Sequence, residues 1–495
     1  MTPFYKPHDG WAADFIPLYA QGAFHLFYLK DYRDPATHGE GTPWFHLSTT
    51  DFVHFEDHGE ALARGAADAQ DLFVFTGSAI HALGQYHIFY TGHNPHLRAQ
   101  GKPEQAVMHA VSDDLVTWRK VPEDTFFAPA GKDDLYEPHD WRDPFVFFDA
   151  ATNEYGMLLA ARLKTGPSRR RGCTALCTSK DLKTWTVRDS FWTPGLYFTH
   201  ECPDLFQMGE WWYLVFSEFS ERCVTRYRMS RSPAGPWLTP PDDTFDGRAY
   251  YAAKTASDGT PSDGTRRFVF GWNPTRIGEK DDGAWQWGGN LVVHELVQHA
   301  DGTLAVQVPD SVDAIYSQRT PVSFMPALGD CTVDGSSAHL NATGAATAGA
   351  ATAGAATVGA FACATAGSMP ERFKIEATLS FSEGTQSFGV MLRADDALEA
   401  AYYLRFEPHQ QRMVFDAWPR PGDRPYWPEL ERPLALAAGQ PIPLKIYIEG
   451  SVCEIYVNDT VAMSTRLYNL KAGQWGVFAS EGSAVCERAA ILLPT

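Results

Sequence analysis

The chain has 495 residues, of which 44% are hydrophobic and 13% aromatic, and its formal net charge is −19. This length exceeds one ordinary domain and the hydrophobic content allows a sizeable core, so we predict two domains of unequal size. The acidic balance disfavours nucleic acid as a partner, because negative charge repels the phosphate backbone.

The N-terminus and the cysteines bear on where the protein works. The first residues, MTPFYKPHDGW, contain no basic segment followed by an apolar run. No stretch of about 18 apolar residues occurs in the chain. The 8 cysteines are scattered without a CxxC pair, which is typical of reduced thiols rather than of a disulfide framework or a zinc ribbon. We therefore expect a cytoplasmic protein that has no membrane partner.

A degenerate repeat dominates the chain up to about residue 310. Each copy has a strand rich in aromatic and apolar residues, then a short strand that ends in a pattern of Ser, Asp and an aromatic residue, as in YHIFYTGHN followed by HAVSDDLVTW. A repeat of this length with several short strands predicts a β-propeller of five blades. The recurring aromatic residues, which we interpret as core residues, are Phe55, Trp118, Trp185 and Trp237.

The C-terminal part of the chain has a different pattern. From about residue 370, short alternating strands such as FKIEATLSF and SVCEIYVND predict a β-sandwich. The Ala/Thr/Gly-rich segment 341–367 is interpreted as a tolerant loop or edge segment rather than as a binding element. The prediction is an all-β protein with a five-bladed β-propeller over residues 1–315 and a β-sandwich over residues 316–495.

Three acidic residues lie directly before strand-like runs in different repeats. Asp14 is in GWAADFIPLY, Asp143 in EPHDWRDPFVFF and Glu201 in YFTHECPDLFQM. The innermost strands of a propeller surround a central channel, so residues at their starts can meet there. Glycoside hydrolysis requires two carboxyl groups that flank the scissile bond. The three acids are therefore candidates for a glycosidase site.

Several segments resemble glycoside hydrolase family 32, the β-fructofuranosidase family, in order and over nearly the whole chain. RDP at 142–144 is similar to the RDP motif of that family, and ECPD at 201–204 is similar to its EC motif. FTGSAI at 75–80 is similar to its FSGS motif, with Asp71 ahead of it at the usual position. Further similar segments are WFHLSTTDFVHFE, FDGRAYYAAKT, WGGNLVVHEL and SVCEIYVNDTVAMSTRLY.

The chain departs from the family at one motif. The N-terminal W-M-N-D-P-N-G motif is represented here by WAADFIP at 11–17, which keeps Trp11 and Asp14 at the right spacing. The Asn residues, the first Pro and the Gly of the motif are replaced. The hydrogen bonds that those Asn side chains would supply to the acid are therefore missing.

The resemblance implies a role for individual residues. Asp14 would attack C2 of the fructosyl unit, Glu201 would protonate the leaving oxygen and then activate water, and Asp143 would accept hydrogen bonds from fructose hydroxyls. Arg142 would hold a hydroxyl or orient a carboxylate with its planar guanidinium. This mechanism requires no cofactor and no metal ion. The other residues that we expect to contact the substrate are Trp11, Trp44, Phe75, Thr76, Trp272 and Trp287.

The predicted function is the release of terminal fructose from small β-fructofuranosides, such as sucrose, inulobiose or short fructo-oligosaccharides, by a retaining mechanism. Three alternatives stay open: a fructosyltransferase on the same scaffold, an inverting furanosidase that acts on arabinose-containing chains, and a sugar-binding propeller without catalysis. The EC motif and the sandwich disfavour the second, and the retention of all three acids disfavours the third. The linkage preference is open, and so is the oligomeric state, including a homo-oligomer.

Overall fold

The computed structural model describes two compact units. The described residues are 1–129, 135–259, 266–343, 359–420 and 430–495. The first unit comprises Met1–Phe245, Tyr250–Pro274 and Trp287–Leu304, and the second comprises Asp246–Ala249, Thr275–Gln286 and Ala305–Thr495. The domain boundary predicted at residue 315 stays a prediction. Most of the Ala/Thr/Gly-rich segment, 344–358, lies outside the described residues.

Strands make up most of the chain from its start to the beginning of the second unit. They are β1 (Trp11–Ala20), β2 (Ala23–Asp31), β3 (Trp44–Thr49), β4 (Glu56–Leu62), β5 (Phe73–Ala82), β6 (Gln85–His93), β7 (Gln105–Ser112), β8 (Arg119–Lys120), β9 (Tyr136–Asp149), β10 (Glu154–Leu163), β11 (Gly172–Ser179), β12 (Thr186–Val187), β13 (Glu201–Met208), β14 (Trp211–Glu218), β15 (Val224–Ser230), β16 (Tyr251–Ser257), β17 (Arg267–Arg276), β18 (Trp285–Gln298) and β19 (Leu304–Gln307).

Helices are short throughout the described part of the chain. They are α1 (Pro35–His38), α2 (Asp310–Ala314) and the 3₁₀ turns Pro95–Gln100, Pro122–Asp124, Ser168–Arg170, Ile277–Glu279 and Pro408–Gln410. No helix in the described ranges has the length and apolar character that a membrane crossing needs.

The first unit is a β-propeller. Antiparallel pairing gives the sheets β16-β17-β18-β1-β2-β3-β4, β5-β6-β7-β8, β12-β11-β10-β9 and β13-β14-β15. The innermost strands β1, β5, β9, β13 and β16 contact one another in this order, and β16 contacts β1. Their starts therefore surround one axis, which is what a propeller requires. The count of five blades stays a prediction, because β18 pairs with β1 and joins the last and first strands into one sheet.

The repeated Ser–Asp pattern forms the same turn in three copies. In the second copy, Ser112 Oγ accepts hydrogen bonds from the N–H groups of Asp114 and Leu115, and Asp114 Oδ1 accepts from those of Val116 and Thr117. The side chains thus satisfy backbone donors that the turn leaves unpaired. The same bonds are made by Thr49 with Asp51 and by Ser179 with Asp181.

The aromatic residue that ends each repeat packs on the preceding copy. Trp118 stands edge-on to Phe27 with ring centroids 5.5 Å apart, and Trp185 stands edge-on to Phe89 at 5.6 Å. Edge-to-face pairs at this distance are favourable beyond the area they bury. These two residues therefore join neighbouring copies, but they are half-buried and lie at the edge of the core rather than inside it.

The second unit is a β-sandwich. Its strands are β20 (Tyr316–Pro321), β21 (Met325–Leu328), β22 (Asp330–Asp334), β23 (Ser337–Ala342), β24 (Phe361–Ser368), β25 (Arg372–Phe381), β26 (Ser387–Ala394), β27 (Ala401–Glu407), β28 (Arg412–Trp418), β29 (Glu431–Pro433), β30 (Ile442–Glu449), β31 (Val452–Val457), β32 (Val461–Arg466), β33 (Gln474–Ser480) and β34 (Gly482–Pro494). One sheet has the order β22-β23-β34-β25-β30-β31-β32 and the other β21-β24-β33-β26-β27-β28-β29. Inward residues of both sheets, such as Phe373, Phe388 and Trp475, form one buried core.

Candidate active site

Asp14 lies on the innermost strand of the first repeat and is held by two donors from other repeats. The hydroxyl of Thr76 donates to its Oδ2, and the indole Nε1–H of Trp272 donates to its Oδ1 at 2.9 Å. Thr76 and Trp272 are 1% and 3% exposed, so both are fixed by packing. The carboxylate is therefore oriented by a threonine and a tryptophan, although the Asn residues of the family motif are replaced.

Asp143 is held by a side chain of β6 and by the backbone of the inner strand β13. Its backbone N–H donates to Thr91 Oγ1 at 2.7 Å, and its Oδ2 accepts from the backbone N–H of Cys202 at 2.9 Å. Cys202 directly follows Glu201, so this second bond connects the two acids through one peptide group. Asp143 and Glu201 are thereby held beside each other, with their side chains 6% and 21% exposed.

Glu201 accepts a strong hydrogen bond on each carboxylate oxygen. Arg142 Nη2 donates to Oε1 at 3.1 Å, and the hydroxyl of Tyr251 donates to Oε2 at 2.6 Å. Arg142 is itself held by Asp140, whose Oδ1 lies 2.5 Å from Nη1, and by Thr199 Oγ1. The guanidinium therefore cannot turn away from Glu201 without breaking its bond to Asp140.

Irregular strand pairing places the acids. The pairing of β1 with β2 shifts between Ala13 and Ile16, and Asp14 has a φ of 42°. Asp143 and Cys202 have φ values of 57° and 51° at similar shifts in β9 and β13. Such β-bulges redirect a side chain, and positive φ at a residue other than Gly persists only where the surroundings impose it. The bulges thus turn acids from three strands toward one point.

Burial and mutual repulsion shift the titration of the acids. Burial raises the pKa of Asp14 to about 7; the bond from Thr76 opposes this rise and the charge of Asp143 adds to it. Burial also raises the pKa of Asp143 to about 6, although the Arg142 charge opposes this. Asp14 and Asp143 therefore hold protons more tightly than ordinary aspartates and lose them near neutral pH.

Aromatic side chains surround the approach to Asp14. Phe75, next to Thr76, stacks on His93 at 4.8 Å and lies 6.5 Å from the ring of Trp287. Trp287 is 36% exposed. The Arg33 guanidinium lies over the ring of Trp11 and donates to the backbone oxygen of Trp287. Phe75 directly precedes Thr76, which bonds Asp14, so this aromatic group adjoins a donor of the acid and offers apolar ring faces that suit the C–H faces of a sugar.

The structure brings most of the predicted residues together. Arg142 lies against Glu201 and Asp143, whose charges act on Asp14. Thr76 and Trp272 donate to Asp14. The ring of Phe75 lies near that of Trp287, and Arg33 joins Trp11 to Trp287. Trp44 is the exception. It is fully buried between Phe27 of its own sheet and Tyr90 of the neighbouring sheet, so the structure corrects its assignment as a substrate contact.

Sequence reasoning missed partners of the acids. Tyr251 lies within the FDGRAYYAAKT segment, and Asp140 lies two residues before Arg142. Neither residue has a sequence pattern that indicates its contact with the site. Thr91 and Thr199 are equally ordinary in sequence. The contacts of Tyr251, Thr91 and Thr199 join residues 50 to 57 positions apart in sequence, so only the folded propeller reveals them.

Two domain families match the chain. The N-terminal domain of glycosyl hydrolases family 32 matches residues 4–308, and the C-terminal domain of that family matches residues 335–491. The chain belongs to glycosyl hydrolases family 32. This membership confirms the family that the motifs indicated and the predicted enzyme class, a glycoside hydrolase.

Individual relatives are distant in sequence. The chain is 28% identical over 311 residues to the sucrose-6-phosphate hydrolase of Vibrio alginolyticus, and the match covers 59% of each protein, less than two thirds of the relative. It is 22% identical over 507 residues to the sucrose-6-phosphate hydrolase of Escherichia coli, covering 98% of this chain and 93% of the relative.

A solved structure establishes the fold. The exo-inulinase of Aspergillus awamori aligns with a TM-score of 0.71 and 17% identity, covering 99% of this chain and 97% of that one. At this identity the likeness concerns the fold alone. It confirms the predicted all-β class, a β-propeller followed by a β-sandwich.

Proposed function

We propose that this family 32 glycoside hydrolase releases terminal fructose from small β-fructofuranosides by a two-step retaining mechanism. The observation that carries the proposal is the placement of Asp14, Asp143 and Glu201 at bulges of three inner strands, where the charges of Asp143 and Glu201 act on Asp14. Two carboxyl groups beside one bond are what this chemistry requires. The sucrose-6-phosphate hydrolases among the relatives support a fructoside as substrate.

In the first step, ionised Asp14 attacks C2 of the fructosyl unit and Glu201 gives its proton to the leaving oxygen. The bond between C2 and that oxygen breaks, the leaving sugar departs as an alcohol, and a covalent fructosyl-enzyme remains. Thr76 and Trp272 fix the direction of the attacking carboxylate by donating to its two oxygens.

In the second step, Glu201 takes a proton from water, the resulting hydroxide attacks C2, and Asp14 leaves as a carboxylate. The donors Arg142 and Tyr251 stabilise the Glu201 carboxylate that exists between the two steps. Hydrogen bonds to a charged acceptor are about twice as strong as those to a neutral one, so both donors favour this state.

Asp143 binds the fructose ring in this proposal. Its Oδ2 is occupied by the Cys202 N–H, so its Oδ1 is the oxygen that accepts hydrogen bonds from fructose hydroxyls. The leaving group lies beyond C2, against the rings of Trp11, Phe75 and Trp287. We propose sucrose, inulobiose and short fructo-oligosaccharides as substrates. We also propose that the protein is cytoplasmic and that the reaction requires no cofactor. A homo-oligomer stays a prediction.

The test measures fructose release from sucrose, sucrose 6-phosphate, inulobiose, levanbiose, kestose and inulin. Asp14→Asn and Glu201→Gln keep the shape of each side chain and should lower kcat on the best substrate by about 10²-fold or more. Glu210→Gln is the matched control, because the Glu210 side chain is 86% exposed. A parent that is silent on every fructoside would overturn the proposal in favour of a sugar-binding protein.

Methanol as an added acceptor tests the stereochemistry. A fructosyl-enzyme transfers to methanol with retention, so the expected product is methyl β-fructofuranoside. The α product would show inversion and contradict the nucleophile assigned to Asp14. Growth of longer oligosaccharides at high substrate concentration, in place of free fructose, would identify the alternative fructosyltransferase.

A further inference from the structure

A pocket in the β-sandwich unit lies outside the group of acids described above. Its volume is about 510 Å³, which is large enough for a sugar-sized molecule. The side chains that matter for its chemistry are those of Met369, Glu371, Arg393, Ser451, Tyr468 and Lys471. No part of the proposed fructoside chemistry uses this pocket.

Arg393 provides a buried cation at the pocket. It is only 7% exposed, and its guanidinium donates to the backbone oxygens of Leu467 at 3.2 Å, Leu470 at 2.8 Å and Gly450 at 2.6 Å. Nη1 makes the first two of these bonds and Nη2 makes the third. A guanidinium has five N–H groups. One N–H on Nε and one on Nη2 are therefore left without an acceptor among the described residues.

The positive charge of Arg393 has no carboxylate partner in the described part of the chain. The charge of Asp281 acts on Arg393, but the oxygens of Asp281 are taken by the Tyr402 hydroxyl and by the N–H groups of Tyr468 and Asn469. Burial accordingly lowers the pKa of Arg393. Buried charges in proteins are normally paired, so a missing anion is indicated.

The charges of the other lining residues favour a small ligand with one anionic group over a polyanion. The Lys471 ammonium lies over the ring of Tyr468 at 6.0 Å and adds a second positive charge. Glu371, on an exposed part of the lining, adds a negative charge that repels a highly charged ligand. Met369 and Tyr468 supply apolar surface for the body of the molecule.

We propose that this pocket binds a small molecule that carries one carboxylate or phosphate group. Two oxygens of that group accept hydrogen bonds from the free N–H groups on Nε and Nη2 of Arg393. These two nitrogens lie along one edge of the guanidinium plane. This planar edge matches the oxygen spacing of both groups. The sandwich then has a binding role separate from the propeller.

Calorimetric titration of the full chain tests the site. The ligands are gluconate, a sugar-sized carboxylate, glucose 6-phosphate, a sugar-sized phosphate, and glucose as the neutral control. The variants are Arg393→Lys, which keeps the charge but loses the planar fork, Lys471→Met and Glu371→Gln. Lys180→Met is the matched control for the loss of one positive charge, because Lys180 is 80% exposed in the propeller unit.

We expect gluconate, glucose 6-phosphate or both to bind one-to-one, and glucose not to bind. Arg393→Lys should weaken binding by about tenfold, because one bidentate charged contact is lost. Lys471→Met should weaken it by about threefold and Glu371→Gln should tighten it. Lys180→Met and the rate of sucrose hydrolysis in Lys471→Met should not change. If Arg393→Lys does not fold, the opposite effects at Lys471 and Glu371 still decide.

Binding of gluconate alone identifies a carboxylate ligand, binding of glucose 6-phosphate alone identifies a phosphate ligand, and binding of both shows that the oxyanion is recognised by itself. The proposal is overturned if neither anion binds saturably, if glucose binds as well as the anions, or if affinity is the same in Lys471→Met and Glu371→Gln as in the parent. The last result would show that the anion binds outside this pocket.

Discussion

At the scale of single residues, Asp14 is held by two hydrogen bonds although the family motif around it is altered. Its neighbours in sequence, Ala13 and Phe15, supply no hydrogen bonds from their side chains, and its donors come from Thr76 and Trp272 instead. Burial raises its pKa to about 7, so the carboxylate is held in a state that the fold disfavours. That strain has a cost in stability and a consequence for the pH profile.

Asp14→Asn should stabilise the protein at alkaline pH. Because the pKa is raised from 3.8 in the unfolded chain to about 7 in the folded one, the free energy of unfolding falls as pH rises between these values. An asparagine cannot ionise, so the variant should exceed the parent by about 2–4 kcal/mol near pH 8 and match it near pH 4. Urea unfolding at both pH values measures this. The argument is contradicted if the difference in unfolding free energy between Asp14→Asn and the parent is the same at pH 4 and pH 8. It is also contradicted if Glu210→Gln shows the same pH-dependent difference.

Trp272→Phe should move the acidic limb of kcat/KM to higher pH. The indole N–H of Trp272 donates a hydrogen bond to the charged form of Asp14. Loss of this bond should therefore raise the pKa of Asp14, the proposed nucleophile, by about one further unit. The rate below that pKa then falls about tenfold. Trp287→Phe, which changes an exposed ring without a bond to Asp14, should alter KM but keep the limb. An unmoved limb in Trp272→Phe would show that the bond does not act on the reaction.

At the scale of elements, β-bulges in the inner strands determine what the site contains. A regular strand alternates its side chains between two faces, whereas the bulges at Asp14, Asp143 and Cys202 interrupt that alternation. In β5 the shift lies between Phe75 and Gly77, on either side of the donor Thr76. Glycine is needed there because the partner strand comes very close.

Gly77→Ala should damage both the fold and the catalysis. A Cβ at this position would lie 1.9 Å from the backbone oxygen of Phe89, so β5 and β6 must separate and Thr76 moves away from Asp14. We expect a loss of about 2–4 kcal/mol in unfolding free energy together with a lower kcat. Gly84, at the turn of the same hairpin, has a φ of 82° and open space around it.

Gly84→Ala is therefore the matched control. It should cost about 1 kcal/mol through its backbone conformation and leave kcat unchanged. Urea unfolding and steady-state kinetics on both variants separate the two effects. Equal kcat in Gly77→Ala and the parent would show that the position of Thr76 does not depend on this bulge.

At the scale of the whole molecule, buried imidazole pairs recur in the first two repeats. His25 bonds His46 at 3.0 Å, and His87 bonds His109 at 2.9 Å. In each pair the second ring stacks on a phenylalanine at 4.4 Å, and burial lowers the pKa of all four, to about 3 for His46 and about 4 for His87. These rings stay neutral in the folded protein and become charged on unfolding in acid.

The stability of the protein should therefore fall in mild acid. The unfolded chain binds protons near pH 6.5, whereas His46 and His87 in the folded protein bind them only near pH 3 and pH 4. Each of these two residues therefore removes up to about 1.4 kcal/mol per pH unit below 6.5. His46→Gln should make this fall shallower in urea unfolding between about pH 6.5 and 4.5. His54→Gln is the control, since His54 is 64% exposed. Parallel curves for the parent and His46→Gln would contradict this account.

The sequence by itself determined the fold class and the family, and it indicated the three acids, whose roles stay a prediction. Each copy of the repeat has the same order of strands and the same hydrogen-bonded turn, as at Ser112 and Asp114. Such local patterns can be recognised in a sequence because the interacting residues are only a few positions apart. The motifs around Asp143 and Glu201 were equally local. The placement of Trp44 failed, because a buried and a substrate-facing tryptophan look alike in a strand whose two faces are both covered.

Only the tertiary structure decided which residues act on the acids. Tyr251, Thr91 and Trp272 reach Glu201, Asp143 and Asp14 across 50, 52 and 258 positions of sequence. The unpaired edge of Arg393 was equally invisible, because it depends on three backbone oxygens that the folding of the sandwich brings around one guanidinium. Hydrogen bonds form over about 3 Å in space and carry no mark in the sequence, so their partners appear only when the strands have closed on one another.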